Sequence, residues 1–238
     1  MQSSKILKSE LEKFSNKKQI EILSRFFKTG EGQYGQGDKF LGVNVPLIRK
    51  IAKKYDNLPL AELQQLLNSK IHEHRQISLF ILINQYGKSE EKNKKQIVKF
   101  YLNNTKNINN WDLVDTSAPN ILGDYFLDRP KNILFELSKS KNLWERRIAV
   151  LTTFTFIRNN NFKDALKICE ILIYDKHDLI HKACGWMLRE TGNRNKKVEQ
   201  DFLRKYCRIM PRTMLRYAIE KFPESERQFW LKQKFINN

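Results

Sequence analysis

Cysteine, proline and glycine are all scarce in this chain, and each shortage narrows what it can be. Its three cysteines, Cys169, Cys184 and Cys207, are scattered through 238 residues. An odd number at unrelated spacings makes neither a disulfide framework nor a zinc ribbon, so reduced thiols are expected. Six prolines and nine glycines are too few for a collagen-like or low-complexity chain, and most sit at element boundaries. No apolar run approaches the roughly 18 residues that a membrane span needs; the longest, Ile77–Ile83, is interrupted by Ser78. Met1–Phe14 has no apolar leader segment, so export is not expected. Acidic residues are outnumbered, 26 Asp and Glu against 44 Lys and Arg, for a formal charge of +18. At 40% hydrophobic and 11% aromatic residues, the chain is too apolar for a disordered basic tail. What remains is a soluble, basic, globular and cytoplasmic protein drawn to polyanions. Lys- and Asn-rich composition also follows from an AT-rich genome, so charge alone does not decide the partner.

The apolar spacing is helical almost throughout. Leu7, Leu11 and Phe14 mark a first amphipathic helix; Ile20, Leu23, Phe26 and Phe27 mark a second. A loop dense in glycine spans 29–45. Pro46 and Pro59 stand at first-turn positions of the next two helices. After residue 70 the helices come in pairs: 70–86 with 90–103, 109–127 with 131–139, 142–158 with 161–174, and 177–190 with 195–208. Helices at 211–221 and 224–235 close the chain. With no strand and no linker, the expectation is one all-helical domain over residues 1–238. Arg75, Trp111, Arg147 and Lys182 recur at intervals of 36, 36 and 35 residues, each early in a helix that begins a pair. That period predicts an all-α solenoid of HEAT-like two-helix repeats, with these four residues projecting onto one concave, basic face.

Gly30, Gly32 and Gly35 match the spacing G-x-G-x-x-G. A helix rather than a strand precedes them, so a dinucleotide site is excluded. The loop reads either as a flexible surface segment or as a backbone that approaches phosphates, with Lys28, Tyr34 and Lys39 nearby. No metal cluster is present; His72 and His74, two apart on a helix, cannot face one ion and read as surface or partly buried residues.

Three helices carry residues that break their local pattern. Trp111 and Asp115 are four apart and share a face. They suit either an aromatic wall beside a carboxylate or a core tryptophan with a local cap. In Trp144–Ile148, Arg147 falls beside the apolar cluster and Arg146 on the polar side. Arg147 therefore needs a partner, a carboxylate or a bound phosphate. Lys182, Trp186 and Arg189 form a stripe that suits a sugar-phosphate backbone, or a tryptophan packed at a helix junction. Gly185 beside them leaves room for an approaching group.

Together these segments resemble the DNA alkylation repair family. The resemblance is carried by Asn110–Asp115 through Leu122–Asp124, by Leu143–Arg147, and by Lys182–Glu190. Phe27–Val43 and Met210–Pro223 add an N-terminal and a C-terminal stretch. It covers about residues 20 to 235. The resemblance implies HEAT-like repeats and a monofunctional glycosylase that excises N3- and N7-alkylated purines, which carry positive charge, from double-stranded DNA. By motif position Trp111, Asp115 and Trp186 would be catalytic, with Arg147 clamping a phosphate; Lys182 and Arg189 join it as DNA-binding residues. The lesion would be met on an open surface without a deep pocket. No cofactor, metal or membrane is implied, and a monomer is expected. Asn110 departs from members with a tryptophan there. A non-catalytic HEAT-like module binding DNA or RNA, or a protein scaffold, are the competing readings.

Overall fold

The computed structural model describes residues 3–233. Among them every regular element is helical, and the one extended pairing is an isolated parallel bridge between Lys39 and Ile71. The helices gather into two compact units, Met1–Ser117 and Ala118–Asn238. The division falls inside a helix, with no linker.

The first unit holds α1 (Ser4–Glu12), α2 (Lys17–Phe26), α3 (Val45–Lys54), α4 (Leu60–Leu67), α5 (His72–Lys88), α6 (Glu91–Asn103) and most of α7 (Trp111–Ala118). Side-chain caps start the first three of them. Ser3, Asn16 and Asn44 accept from the backbone N–H groups of Ile6, Gln19 and Leu47, each cap contributing about 1 kcal/mol. Pro46 lies in the first turn of α3 as expected, whereas Pro59 is the cap residue before α4. Helix α5 packs against α3 and α4. It is buried nearly all round through Ile77, Leu79, Phe80, Ile81 and Leu82, each worth about 1.5–3 kcal/mol of transfer from water.

The glycine-rich segment is a strap rather than a flexible surface loop. Lys39 donates its N–H to Lys70 and accepts from His72. The Glu73 carboxylate accepts the N–H groups of Leu41 at 2.9 Å and Gly42 at 2.8 Å. Phe40, Leu41 and Val43 are buried. Gly42 has φ +81°, and a Cβ there would stand 2.4 Å from the Asn16 carbonyl oxygen, so only glycine fits.

The second unit comprises α8 (Asp124–Phe126), α9 (Asn132–Leu137), α10 (Leu143–Arg158), α11 (Lys163–Ile171), α12 (Asp178–Arg194), α13 (Lys196–Tyr206), α14 (Arg212–Ala218) and α15 (Glu224–Leu231). The expected helix over 224–235 ends at Leu231, and the rest of that stretch past residue 233 lies outside the described residues. Helix α12 packs between α10 and α14, with α11 against α10 and α13 against α12. These stacked pairs are the helical repeats of an α-solenoid. Pro119 offers no N–H to the helical ladder, and Pro119–Gly123 forms a π turn. The Pro119 carbonyl instead accepts the Thr155 hydroxyl at 2.7 Å.

Candidate functional site

Helix α7 begins where Asn110 caps it: the buried Asn110 accepts the Trp111 N–H through its side chain at 2.8 Å. Trp111 and Asp115 follow, both half-buried and one turn apart. Leu113 and Val114 bury the opposite side of the helix. Asp115 is no cap; it lies in the body of the helix, and its charge acts on the buried Tyr101 hydroxyl, which bonds Ser117. Burial pushes that hydroxyl well above its usual range, and the charge of Asp115 pushes it further.

A buried polar cluster, legible in no single motif, holds the start of α7. His72 Nε2 bonds Asp112 Oδ2 at 2.8 Å, and its Nδ1 lies 3.4 Å from Asp38 Oδ2. Arg75 donates to Asp38 Oδ1 at 2.7 Å and to the Ser69 carbonyl at 2.9 Å. Gln76 donates to Asp112 at 3.0 Å, and Asn110 to Asp38 at 3.3 Å. Burial opposes charge on His72, but the Asp112 and Asp38 carboxylates outweigh it and raise the imidazole to about 9. Burial likewise raises the Asp38 carboxyl, and the His72 hydrogen bond and Arg75 charge more than offset it, holding it below its usual range. Three sequence readings change here. His72 and His74 are both fully buried rather than surface or partly buried. Burial, with Lys8 and Arg75 nearby, drives His74 down to about 4. Arg75 is buried on Asp38 rather than displayed on an open face, because α5 is covered on all sides. Asn110, which departs from family members with a tryptophan there, serves as cap of α7 and tie to the strap.

An aromatic pocket of about 350 Å³ opens beside Trp111. The Trp111 ring lies 5.7 Å from Phe26, edge to face, and 5.3 Å from Phe27. Phe27 stacks on Phe40 at 5.4 Å, and both rings lie 5.0 Å from the His72 imidazole. The strap thus supplies one wall through Phe40 and the charged tie through Asp38. The sequence analysis missed this pocket; the available signal was Phe26 and Phe27 on one side of the glycines and Phe40 on the other.

In the second unit the candidate residues are positioned by α10 and α12. Arg147 is 5% exposed, and its Nη1 donates to the Leu179 carbonyl at 2.6 Å. Arg146 is not a free polar-face residue: its Nε pairs with Asp175 at 2.6 Å, and its Nη1 reaches the Ser140 and Lys141 carbonyls. Trp186 is half-buried, donates Nε1–H to Glu190 at 3.0 Å, and lies 5.6 Å from Phe154. The Arg158 guanidinium stands 5.8 Å over Phe154, extending an aromatic and basic patch that sequence reading had not included. Lys182 pairs with Asp178 at 2.7 Å, and Arg189 pairs with Glu220. A phosphate at either residue competes with a carboxylate already there. Gly185 leaves no room for a ligand, since a Cβ there would stand 2.5 Å from the Met214 carbonyl oxygen. It is the point where α14 packs closely on α12.

Among the described residues no cluster of metal ligands occurs, and no helix is long and apolar enough to cross a membrane. A family model described as DNA alkylation repair enzyme matches residues 7–222. No curated protein matches the chain. The fold is similar to that of a protein from Enterococcus faecalis described as a predicted DNA alkylation repair enzyme. The TM-score is 0.68 and the identity 15%, covering 88% of this chain and 97% of that one. It is also similar to smu.31 from Streptococcus mutans UA159, with a TM-score of 0.53 and 18% identity, covering 92% and 98%.

Proposed function

The chain belongs to the DNA alkylation repair enzyme family, and from that premise we propose that it hydrolyses the N-glycosidic bond of cationic N3- or N7-alkylated purines in duplex DNA. The observation that carries the reading is the pairing of Trp111 and Asp115 one turn apart on α7, both half-exposed, with the start of that helix fixed by a buried polar cluster. Breaking the glycosidic bond sends its electron pair onto the departing base, which leaves neutral. Positive charge develops on the sugar as an oxocarbenium, as in glycoside hydrolysis. A carboxylate fixed beside that charge stabilises it without reorganising. Asp115 takes this role and orients the water whose oxygen bonds to the sugar carbon; the water's proton passes to solvent. The face of Trp111 stabilises the cation by about 0.5–2 kcal/mol.

In the second unit, Trp186 is the other aromatic contact, Arg147 the phosphate clamp, and Lys182 and Arg189 further backbone contacts. The chain then acts on its own as a monofunctional enzyme, on double-stranded DNA. A duplex carrying a single N7-methylguanine tests the reading. Release of free base is expected, with Trp111→Ala and Asp115→Asn both slowed. Binding of the duplex without any release leaves a non-catalytic binding module instead.

A further inference from the structure

We propose that His72 is a positioning residue for Trp111: held as an imidazolium between two carboxylates, it fixes the place of the indole, and loss of its proton lets the indole move. The consequence for base release rests on the glycosylase reading; the coupling of His72 to Trp111 rests on the buried contacts alone.

The protonation state follows from the geometry. Both ring nitrogens face carboxylate oxygens, Nε2 at 2.8 Å from Asp112 Oδ2 and Nδ1 at 3.4 Å from Asp38 Oδ2. Those carboxylates already act as acceptors. Asp112 takes the Leu113 N–H on Oδ1 and the Gln76 amide on Oδ2. Asp38 takes Arg75 on Oδ1 and the Asn110 amide on Oδ2. The Asn110 amide cannot be turned round, because its oxygen accepts the Trp111 N–H. The imidazole therefore has to donate on both sides. A neutral ring carries one N–H, and only the imidazolium carries two. Without its second proton, this buried ring would turn a lone pair on a carboxylate, and a buried polar group left unsatisfied is costly.

The charged groups around the ring are Asp38 from the strap, Asp112 from α7, and Arg75 and Glu73 from α5 itself. Arg75 opposes a charge on His72, and Glu73 is taken up by the strap backbone. The two carboxylates prevail over Arg75 and burial, which is why the imidazole is raised to about 9.

Two paths lead from this ring to Trp111. In the first, Asp112 follows Trp111 in the opening turn of α7, so the imidazolium anchors the backbone that carries the indole. The second is a stack. The imidazole lies 5.0 Å from Phe27 and 5.0 Å from Phe40, at 30° and 29°, and Phe27 lies 5.3 Å from Trp111. A cation beneath two phenyl faces holds them by its charge, and the indole rests against one of them. When the proton leaves, one ring nitrogen repels its carboxylate and the attraction to both phenyl rings lapses, so the two paths slacken together. Asp38 stays on Arg75. Asp112, at 14% side-chain exposure against 5% for Asp38, is the carboxylate that can turn to water, and it is the one joined to Trp111.

Fluorine NMR of the whole protein labelled with 5-fluorotryptophan tests the coupling without any substrate. The chain has four tryptophans, and the Trp111 signal is the one lost in Trp111→Phe. Between about pH 6 and 10 it should move in one step that shares its midpoint with the His72 ring proton. In His72→Gln the Trp111 signal should show no such step. Asp38→Asn, which removes one of the two carboxylate charges, should lower the shared midpoint by about one pH unit. Single-turnover release of N7-methylguanine is then compared between wild type and His72→Gln at each pH, a ratio that cancels the ionisation of the substrate. The wild type should be about tenfold faster near neutral pH, as for a displaced contact group, and the advantage should vanish as the pH passes through the midpoint. Duplex affinity should be equal in the two. A histidine that is merely structural lowers the melting temperature but leaves the Trp111 signal level and the ratio independent of pH; either result overturns the proposal. If His72→Gln does not fold, wild type and Asp38→Asn decide it: a Trp111 signal that ignores the His72 titration, or a midpoint that Asp38→Asn leaves in place, overturns it as well. Release by a wild type whose Trp111 signal stays level removes the positioning role and leaves the glycosylase. A shared step without release keeps the coupling and removes the glycosylase.

Discussion

Asp115 carries the chemistry in the proposed reaction, and its neighbour Asp112 shows how little a helical wheel says about partners. The wheel sets Asp112 about 60° away from Asp115 and says nothing of partners on other helices, so Asp112 looks like a ready control. In the structure it is bonded to His72 and Gln76, so removing its charge disturbs the support of α7. Asp115→Asn should slow single-turnover base release by about 10²-fold or more, the effect of losing roughly 3 kcal/mol of electrostatic stabilisation, while duplex binding changes little. Near-normal release from a folded Asp115→Asn protein reduces the carboxylate to a structural group. The buried titratable residues give a pH signature. His72 is raised from 6.5 to about 9, so its contribution to stability is present in full below pH 6.5 and lost as the pH climbs through about 9. A shift of that size is on the order of 3 kcal/mol. Burial raises the Glu199 carboxyl from 4.5 to about 8, against the pull of Lys196 and Arg189. Its contribution is likewise present in full below pH 4.5 and lost on rising through about 8. The lowered His74 adds stability as the pH rises toward 6.5, so urea unfolding should show stability falling with increasing pH above that point. Glu199→Gln should flatten the lower part of the curve and His72→Gln the upper part. A wild-type curve that stays level from 6.5 to 9 means that His72 is not held protonated.

The element that most shapes the candidate site is the strap rather than any helix. It sets Phe40 into the aromatic wall and Asp38 against His72, Arg75 and Asn110, so the cap of α7 and the first turn of α5 share one anchor. At Gly42 the chain has φ +81°, and a Cβ there would stand 2.4 Å from the Asn16 carbonyl oxygen. Gly42→Ala combines a strained backbone with a side chain driven into a carbonyl. The combined cost is about 2–4 kcal/mol, or roughly 5–15 °C in melting temperature for a chain of this size. The damage should spread beyond stability: hydrogen exchange at the Trp111 amide, bonded to Asn110, should quicken. Melting within a degree or two of wild type shows that the strap yields at this point without strain. The sequence displays the glycines plainly, but it does not display that a strap lies here. The contacts that pin it join Asp38 to residues 34, 37 and 72 positions later, and no local pattern carries pairings at that range.

Across the whole molecule, what could be read early was whatever depends on near neighbours. The helix pairs after residue 70 follow from a 3.6-residue period with punctuation between, and they stand where the spacing puts them. The place of Arg147 beside an apolar stripe was also legible; the structure buries it and sets the Leu179 carbonyl of the next repeat against it, an acceptor that is neither the carboxylate nor the phosphate foreseen. What stayed hidden were partners set by packing, such as the carboxylates that hold Lys182, Arg189 and Arg146. Those pairs bear directly on how the charge of +18 acts. Cations already matched to carboxylates must exchange one anion for another on meeting a phosphate, so the net gain per contact comes largely from counterions freed from DNA. If about 6–10 phosphates are neutralised, log K should fall against log salt with a slope near −0.9 per phosphate, and affinity should drop by about 10³–10⁵ between low and moderate salt. Replacing Lys182 or Arg189 by Ala should reduce the slope by about one phosphate each while leaving Asp178 and Glu220 unmatched and locally repulsive. Fluorescence anisotropy of a labelled duplex over a salt series measures both. A slope near zero in the wild type removes duplex DNA as the partner of this basic surface, whatever its family, and an unchanged slope in both variants places the phosphates elsewhere.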